Sequence, residues 1–252
     1  MVISGYPVGL HDWFSVSYVF SISLPPLSLN LPYMKTQSIL LTAVLAAALS
    51  VSAFAQQNKG PTAWVFSKAV VTKQGLEVPP TAGAVNVLTF TTGATVASDA
   101  EAPGGKVVVL DGTQTTPGIS LRTLNAMDAF LIKLSFKPAV TGGERQTLLR
   151  LASSELRYNR MQARLEFIVW HGDPAEQKFV NVTVPVKPGA WNAVSANYEA
   201  GKLTLTVGKV TNIVELPAGA MVPSVPAGVR VGFANERPYM GSISELSIGA
   251  PN

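Results

Sequence analysis

Phe130, Ile132, Leu134 and Phe136 alternate along the chain with Leu131, Lys133, Ser135 and Lys137, and Leu203, Leu205 and Val207 alternate with Lys202, Thr204 and Thr206. A repeat of two sends successive side chains to opposite faces of a pleated strand, so each segment is predicted to be a half-buried β-strand. Further β-branched runs fall at Val85 to Phe90, Val107 to Leu110, Gln162 to Trp170, Lys178 to Val186, Trp191 to Glu199, Gly228 to Phe233 and Met240 to Ile248. Turn-forming residues separate them, among them Asp111-Gly112, Gly142-Gly143, Gly172-Asp173-Pro174, Lys187-Pro188-Gly189, Ala200-Gly201 and Pro217-Ala218-Gly219. Helix-length amphipathic segments are missing. Many short strands with regular punctuation predict an all-β fold, a two-sheet antiparallel β-sandwich or jelly roll. The Pro- and Gly-rich stretches Pro79 to Gly83 and Pro217 to Gly228 read as loops within it, and residues 56–252 as a single domain.

The alternation also nominates a surface. In Gln162 to Trp170 the set Leu165, Phe167 and Val169 points inward, which leaves Arg164, Glu166, Ile168 and Trp170 outward. The next strand sends Val180, Val182 and Val184 inward and Phe179, Asn181 and Thr183 outward. Trp170 and Phe179 therefore share a polar face. They are candidates for an aromatic platform under a sugar ring, with Arg164, Glu166, His171 and Asn181 as flanking hydrogen-bonding groups. The plainer reading is a cross-strand aromatic pair that stabilises the sheet without any ligand. Trp191, opening its own alternating strand, is read as packing against the core.

One stretch is neither strand nor loop. Lys35 follows Met34, Ile39 to Val51 is apolar but too short to span a bilayer, and Ala53-Phe54-Ala55 places small residues at the positions a signal peptidase reads. Residues 34–55 are thus predicted to be a secretory signal peptide cleaved before Gln56, which makes the mature protein periplasmic or secreted and free of a membrane span. Residues 1–33, uncharged at their start and rich in aromatics and Pro, fit no signal and read as a non-native upstream leader.

Composition narrows the chemistry. The chain has no Cys, so the core holds the fold without disulfides. Its 19 Lys and Arg exceed its 15 Asp and Glu by four, yet they are dispersed, with no basic stripe interleaved with aromatics. Nucleic acid is therefore not an expected partner. His171 is the only His beyond residue 55, which argues against zinc clusters and a Ser-His-Asp triad. A sandwich glycosidase needs two carboxylates flanking the scissile bond. The spaced pair Asp99 and Glu101 sits instead in a stretch running into Pro103-Gly104-Gly105, which reads as a loop.

Two family resemblances follow from motifs. Ser154-Glu155-Leu156-Arg157 resembles part of the Arg-Ser/Thr-Glu-Leu-Arg strand of jelly-roll alginate lyases, but Ser153 stands where the first Arg would be, and no Gln-Ile-His or Gln-Val-His strand follows. The broader match runs from Trp191 through Tyr198, Gly201 and Gly208, then Val229-Arg230-Val231-Gly232, and closes on Tyr239-Met240-Gly241-Ser242-Ile243-Ser244-Glu245-Leu246. This order resembles laminin-G-like, concanavalin A-like domains, a family of sugar binders, protein binders and spacers, so it implies a fold more than a function. It also admits calcium, for which no dense acidic loop supplies ligands. The sequence expectation is an exported, non-catalytic glycan-binding module of concanavalin A-like type. A structural or protein-interaction domain of the cell envelope is the alternative, and a polysaccharide lyase or glycosidase the second alternative.

Overall fold

A computed structural model describes residues 62–82, 87–115, 119–120, 129–151, 153–176, 178–222, 228–232 and 237–251. All lie in the unit Ser50–Asn252. The leader 1–33, the segment 34–55, residues 85–86 of Val85 to Phe90 and residues 223–227 lie outside the described residues.

In chain order the strands are β1 Thr62–Val65, β2 Val70–Thr72, β3 Gly75–Val78, β4 Pro80–Ala82, β5 Leu88–Phe90, β6 Thr92–Ser98, β7 Lys106–Thr115, β8 Ile119–Ser120 and β9 Ala129–Pro138. They continue as β10 Arg145–Leu151, β11 Ser154–Asn159, β12 Arg164–His171, β13 Lys178–Pro185, β14 Asn192–Glu199, β15 Lys202–Val207, β16 Val210–Glu215, β17 Gly228–Val231 and β18 Met240–Gly249. A nine-stranded sheet orders them β16-β15-β14-β9-β18-β1-β4, with β7 pairing both β18 and β6. The six-stranded sheet runs β13-β12-β11-β10-β17-β8. The fold is thus the predicted all-β antiparallel sandwich, with a small third sheet, β2-β3-β5, added.

The alternation of β9 is realised in full. Phe130, Ile132, Leu134 and Phe136 are all buried. So are Leu165, Phe167 and Val169 of β12, and the Phe130 and Phe167 rings meet edge-to-face across the two main sheets at 6.0 Å. Pairs of this kind add to the stabilisation that buried apolar area supplies.

β18 is the hub of the nine-stranded sheet. One edge pairs with β9 along its length; the other pairs with β7 through residues 240–243 and with β1 through residues 245–248. Gly241 makes this possible. Its φ is +142°, and a Cβ there would stand 2.4 Å from both the Lys137 carbonyl oxygen and the Tyr239 hydroxyl. That hydroxyl donates to the Lys137 carbonyl at 3.0 Å, so the Gly of the closing Tyr-x-Gly-x-Ile motif opens the space for a buried tyrosine bond.

Several strands escaped the sequence reading. Pro80–Ala82 was expected as loop, yet it forms the edge strand β4, where a proline's missing N–H costs no ladder bond. β6, rich in Thr, Ala and Gly, and β16, an edge strand exposed except at Val214, carry no apolar alternation to announce them. In β10 a register shift between Thr147 and Leu149 breaks the period. On the open flank, the edges of the two main sheets adjoin: Asn212 of β16 donates its side-chain amide to the Thr183 carbonyl of β13 at 2.6 Å.

Candidate functional site

The outer face of the six-stranded sheet is fixed by register. Glu155 is paired with Arg150 on one side and Ile168 on the other; Arg150 is paired with Arg230, and Ile168 with Asn181. The adjoining row holds Thr147, Arg157, Glu166 and Thr183. Trp170 lies directly opposite Phe179 in the antiparallel ladder, as the hairpin reading required.

The centre of this face is a closed ion-pair network. Arg157 grips Glu155 with both ends of its guanidinium fork, Nε to Oε1 at 2.9 Å and Nη2 to Oε2 at 3.1 Å, and the Thr147 hydroxyl donates to Oε1 at 2.7 Å. Arg157 Nη1 lies 3.9 Å from Glu166 Oε2. Glu166 Oε1 accepts from Arg164 Nε and Nη2 at 3.1 and 3.0 Å and from Asn159 Nδ2 at 3.3 Å. Glu155 and Glu166 are only 3% and 4% exposed. Charges so deep hold only when paired and hydrogen-bonded, and here they are.

Two expectations need correction. Glu166 was nominated to hydrogen-bond a ligand, but its carboxylate is buried and committed to Arg164, Arg157 and Asn159; Arg164 in turn keeps its guanidinium on Glu166. His171 was placed beside Trp170, but adjacent residues of a strand point to opposite faces, and His171 is buried on the Val169 side. It lines a separate, open cleft of about 290 Å³ with Asp173, Glu176 and Lys178, bordered by Pro217 to Ala220. The 217–222 loop meets the hairpin at Gly172, whose N–H donates to the Met221 carbonyl at 2.8 Å.

What the face offers to solvent is therefore smaller than the alternation suggested. Phe179 is 62% exposed, Trp170 and Asn181 are half-buried, and Ile168 is buried between them. Sequence reasoning missed Arg150, whose guanidinium carbon lies 5.1 Å from the centre of the Trp170 ring, within cation–π range. The alternation Leu149, Arg150, Leu151 was the available signal, and the adjacent register shift obscured it.

Two other features are structural. Trp191 donates its indole N–H to Asp99 Oδ2 at 3.2 Å, and Lys137 Nζ donates to the same oxygen at 3.1 Å. The lysine holds the Asp99 carboxyl below its ordinary range, and Asp99 in return raises Lys137. These groups fasten the 99–105 turn and do not resemble an acid/base pair. A larger depression of about 570 Å³ crosses the nine-stranded sheet; Ala63, Ser135, Ala193 and Ser195 line it together with Lys133 and Glu245, and the one aromatic in its walls, Trp64, is 1% exposed. It offers no stacking surface. Among the described residues no three His, Asp or Glu converge as metal ligands, and no helix is long and apolar enough to cross a membrane.

No protein-family model and no curated protein matches the sequence. Some solved structures are similar to parts of the chain. The CBM40 domain of the Ruminococcus gnavus IT-sialidase, bound to α2,3-sialyllactose, is 13% identical with a TM-score of 0.46 over 63% of this chain and 94% of that one. Domain 4 of a GH43 extracellular arabinanase from Geobacillus stearothermophilus, in complex with arabinotriose, is 16% identical with a TM-score of 0.43 over 63% and 84%. Domains LG4-5 of the mouse laminin α1 chain, from the class the sequence resembles, are 12% identical with a TM-score of 0.38 over 68% and 44%. No ligand, partner or activity passes from those proteins to this chain.

Proposed function

We propose that this chain is an exported, non-catalytic glycan-binding module, periplasmic or secreted, whose binding surface is the outer face of the six-stranded sheet at Trp170 and Phe179. Export rests on the signal features of residues 34–55. The observation that carries the binding site is the open Phe179 ring, 62% exposed, in register with Trp170. Burying so large an apolar side chain against water is otherwise favourable, and a sugar ring recovers that gain by stacking its C–H face on the aromatic. Asn181, on the same face and about 7 Å along β13, supplies an amide that both donates and accepts. Screening the full-length chain against a glycan array, followed by calorimetric titration of any hit with the wild type and Phe179→Ala, tests the reading. Loss of binding in the variant supports it; no oligosaccharide bound at millimolar concentration ends it.

A second reading is a protein-interaction domain of the cell envelope. It is favoured by the edge strand β2, whose Val70 and Val71 are 54% and 80% exposed. An edge with exposed valines is a template for pairing with a partner strand.

A further inference from the structure

Beyond the glycan reading, we infer that the cleft at the end of the β12–β13 hairpin is a separate site for a basic amino acid of the lysine class, which carries two ammonium groups and one carboxylate. His171 is the residue that points to a ligand. It is 7% exposed, and its imidazole takes part in no hydrogen bond or ion pair among the described residues. Its ring nitrogens are nevertheless not sealed off: they keep contact with solvent, and the solvent they reach is that of the cleft. A polar group held so deep gains from a hydrogen-bond partner, and the cleft is where one can bind.

The walls are formed in advance. On one side the Glu176 N–H donates to the Asp173 carbonyl at 2.9 Å, and on the other the Ala220 N–H donates to the Pro217 carbonyl at 3.0 Å. The Gly172 N–H bond to the Met221 carbonyl ties the two sides together. Charged groups line this space without pairing to one another. Asp173 Oδ1 accepts from the Ala175 N–H at 2.8 Å, but its other oxygen, the Glu176 carboxylate and the Lys178 ammonium make no hydrogen bond or ion pair among the described residues.

Their arrangement selects the ligand. Lys178 stands directly opposite His171 in the ladder, so the two side chains share one face. Cross-strand neighbours are about 4.5–5.5 Å apart at Cβ, close enough for an ammonium and a ring N–H to grip one carboxylate. Asp173 and Glu176 each offer a carboxylate to an ammonium. Charges then match one for one, and Pro217, Ala218 and Ala220 give an apolar border along which the aliphatic stem can lie. A dicarboxylate is repelled by Asp173 and Glu176, and a diamine leaves Lys178 unmatched. The volume of about 290 Å³ is at the small end for ligand pockets, which suits a single amino acid and not an oligosaccharide.

The test titrates the full-length chain with L-lysine, with Nε-acetyl-lysine, which lacks the second ammonium, and with cadaverine, which lacks the carboxylate. Calorimetry gives the affinities, and NMR follows the ring signals of His171, told from those of His11 by the His11→Gln variant. Lysine should bind about fivefold tighter than either analogue at low salt, the ratio one exposed ion pair supplies, with the advantage shrinking as salt is raised. It should also shift the His171 ring signals to saturation. Glu176→Gln should bring lysine down to the level of Nε-acetyl-lysine, with an unchanged unfolding midpoint showing that the variant is folded. An analogue that binds as tightly as lysine overturns the assignment, as does lysine binding that leaves the His171 signals or the Glu176→Gln affinity unmoved. So does the absence of lysine binding at millimolar concentration. Each of these results leaves the glycan reading standing, because that reading rests on Phe179 on the other face of the sheet.

Discussion

Trp170 stands directly opposite Phe179 in the β12–β13 ladder, but the two rings live in different environments: Trp170 lies under the Arg150 guanidinium at 5.1 Å, and Phe179 is 62% exposed. The two alanine variants should therefore separate. Phe179→Ala should change stability by no more than about 0.5 kcal/mol, as surface substitutions do, while weakening glycan binding by about 1–3 kcal/mol. Trp170→Ala should lower both, because it removes half-buried packing and the seat of Arg150. Paired urea denaturation and calorimetry check the contrast; equal stability losses would mean that Phe179 is a packing residue.

Glu155 is predicted to be structural. Glu155→Ala leaves Arg157, whose side chain is 11% exposed, without its bidentate partner. Breaking a buried pair from one side costs about 3–5 kcal/mol, and chemical denaturation of the variant should show a loss of that order. A loss under 1 kcal/mol would indicate that solvent reaches the network.

Phe136 is fully buried in β9 and meets Tyr239 edge-on at 6.3 Å. Phe136→Ala should cost about 3–5 kcal/mol, the range of other buried Phe truncations, read as a lower urea midpoint with unchanged slope.

Glycines separate by what surrounds them. Gly241→Ala should destabilise severely, since the new Cβ meets the Lys137 carbonyl and the Tyr239 hydroxyl at 2.4 Å. Gly105→Ala, at φ +69° with nothing within 4 Å, carries only the backbone penalty of about 1–2 kcal/mol. Thermal melts of the two variants should rank accordingly.

The Asp99–Lys137 pair predicts a pH dependence of defined sign. The Asp99 carboxyl is lowered first of all by the Lys137 hydrogen bond, so its stabilising contribution is present above about pH 4 and is lost as pH falls through the lowered value. Lys137 is raised by its hydrogen bond to Asp99, so its contribution is present below about pH 10 and is lost as pH rises through the raised value. Asp99→Asn should lower the urea midpoint at neutral pH and converge with the wild type in acid. A difference that persists unchanged at pH 2 would place the effect elsewhere.

The sandwich was legible because its inner positions are apolar at strict spacing: every inward residue named for β9 and β12 is buried. The site was legible in its aromatic pair, since strand alternation and one hairpin suffice to set Trp170 against Phe179. Its polar rim was not. Alternation gives the face of Glu166 and sets Arg164 beside it on the same strand, but its contact with Arg157 of β11 arises only when folding brings the two strands together. His171 was within reach of the same parity rule that placed Trp170, because the two are neighbours on one strand and must point apart.

The position of β18 sets an order on the making of this protein. It joins β9, β7 and β1, yet its residues are synthesised after those of every other strand described. Until residues 240–249 have left the ribosome, β1 and β7 lack the neighbour that ties them to β9, so the nine-stranded sheet cannot close on a nascent chain. Pairing residues 62–65 with 245–248 also makes the closing contacts among the most distant in sequence, which slows folding. The larger sheet is thus completed by the last of the described strands, whatever the earlier strands have done before it arrives.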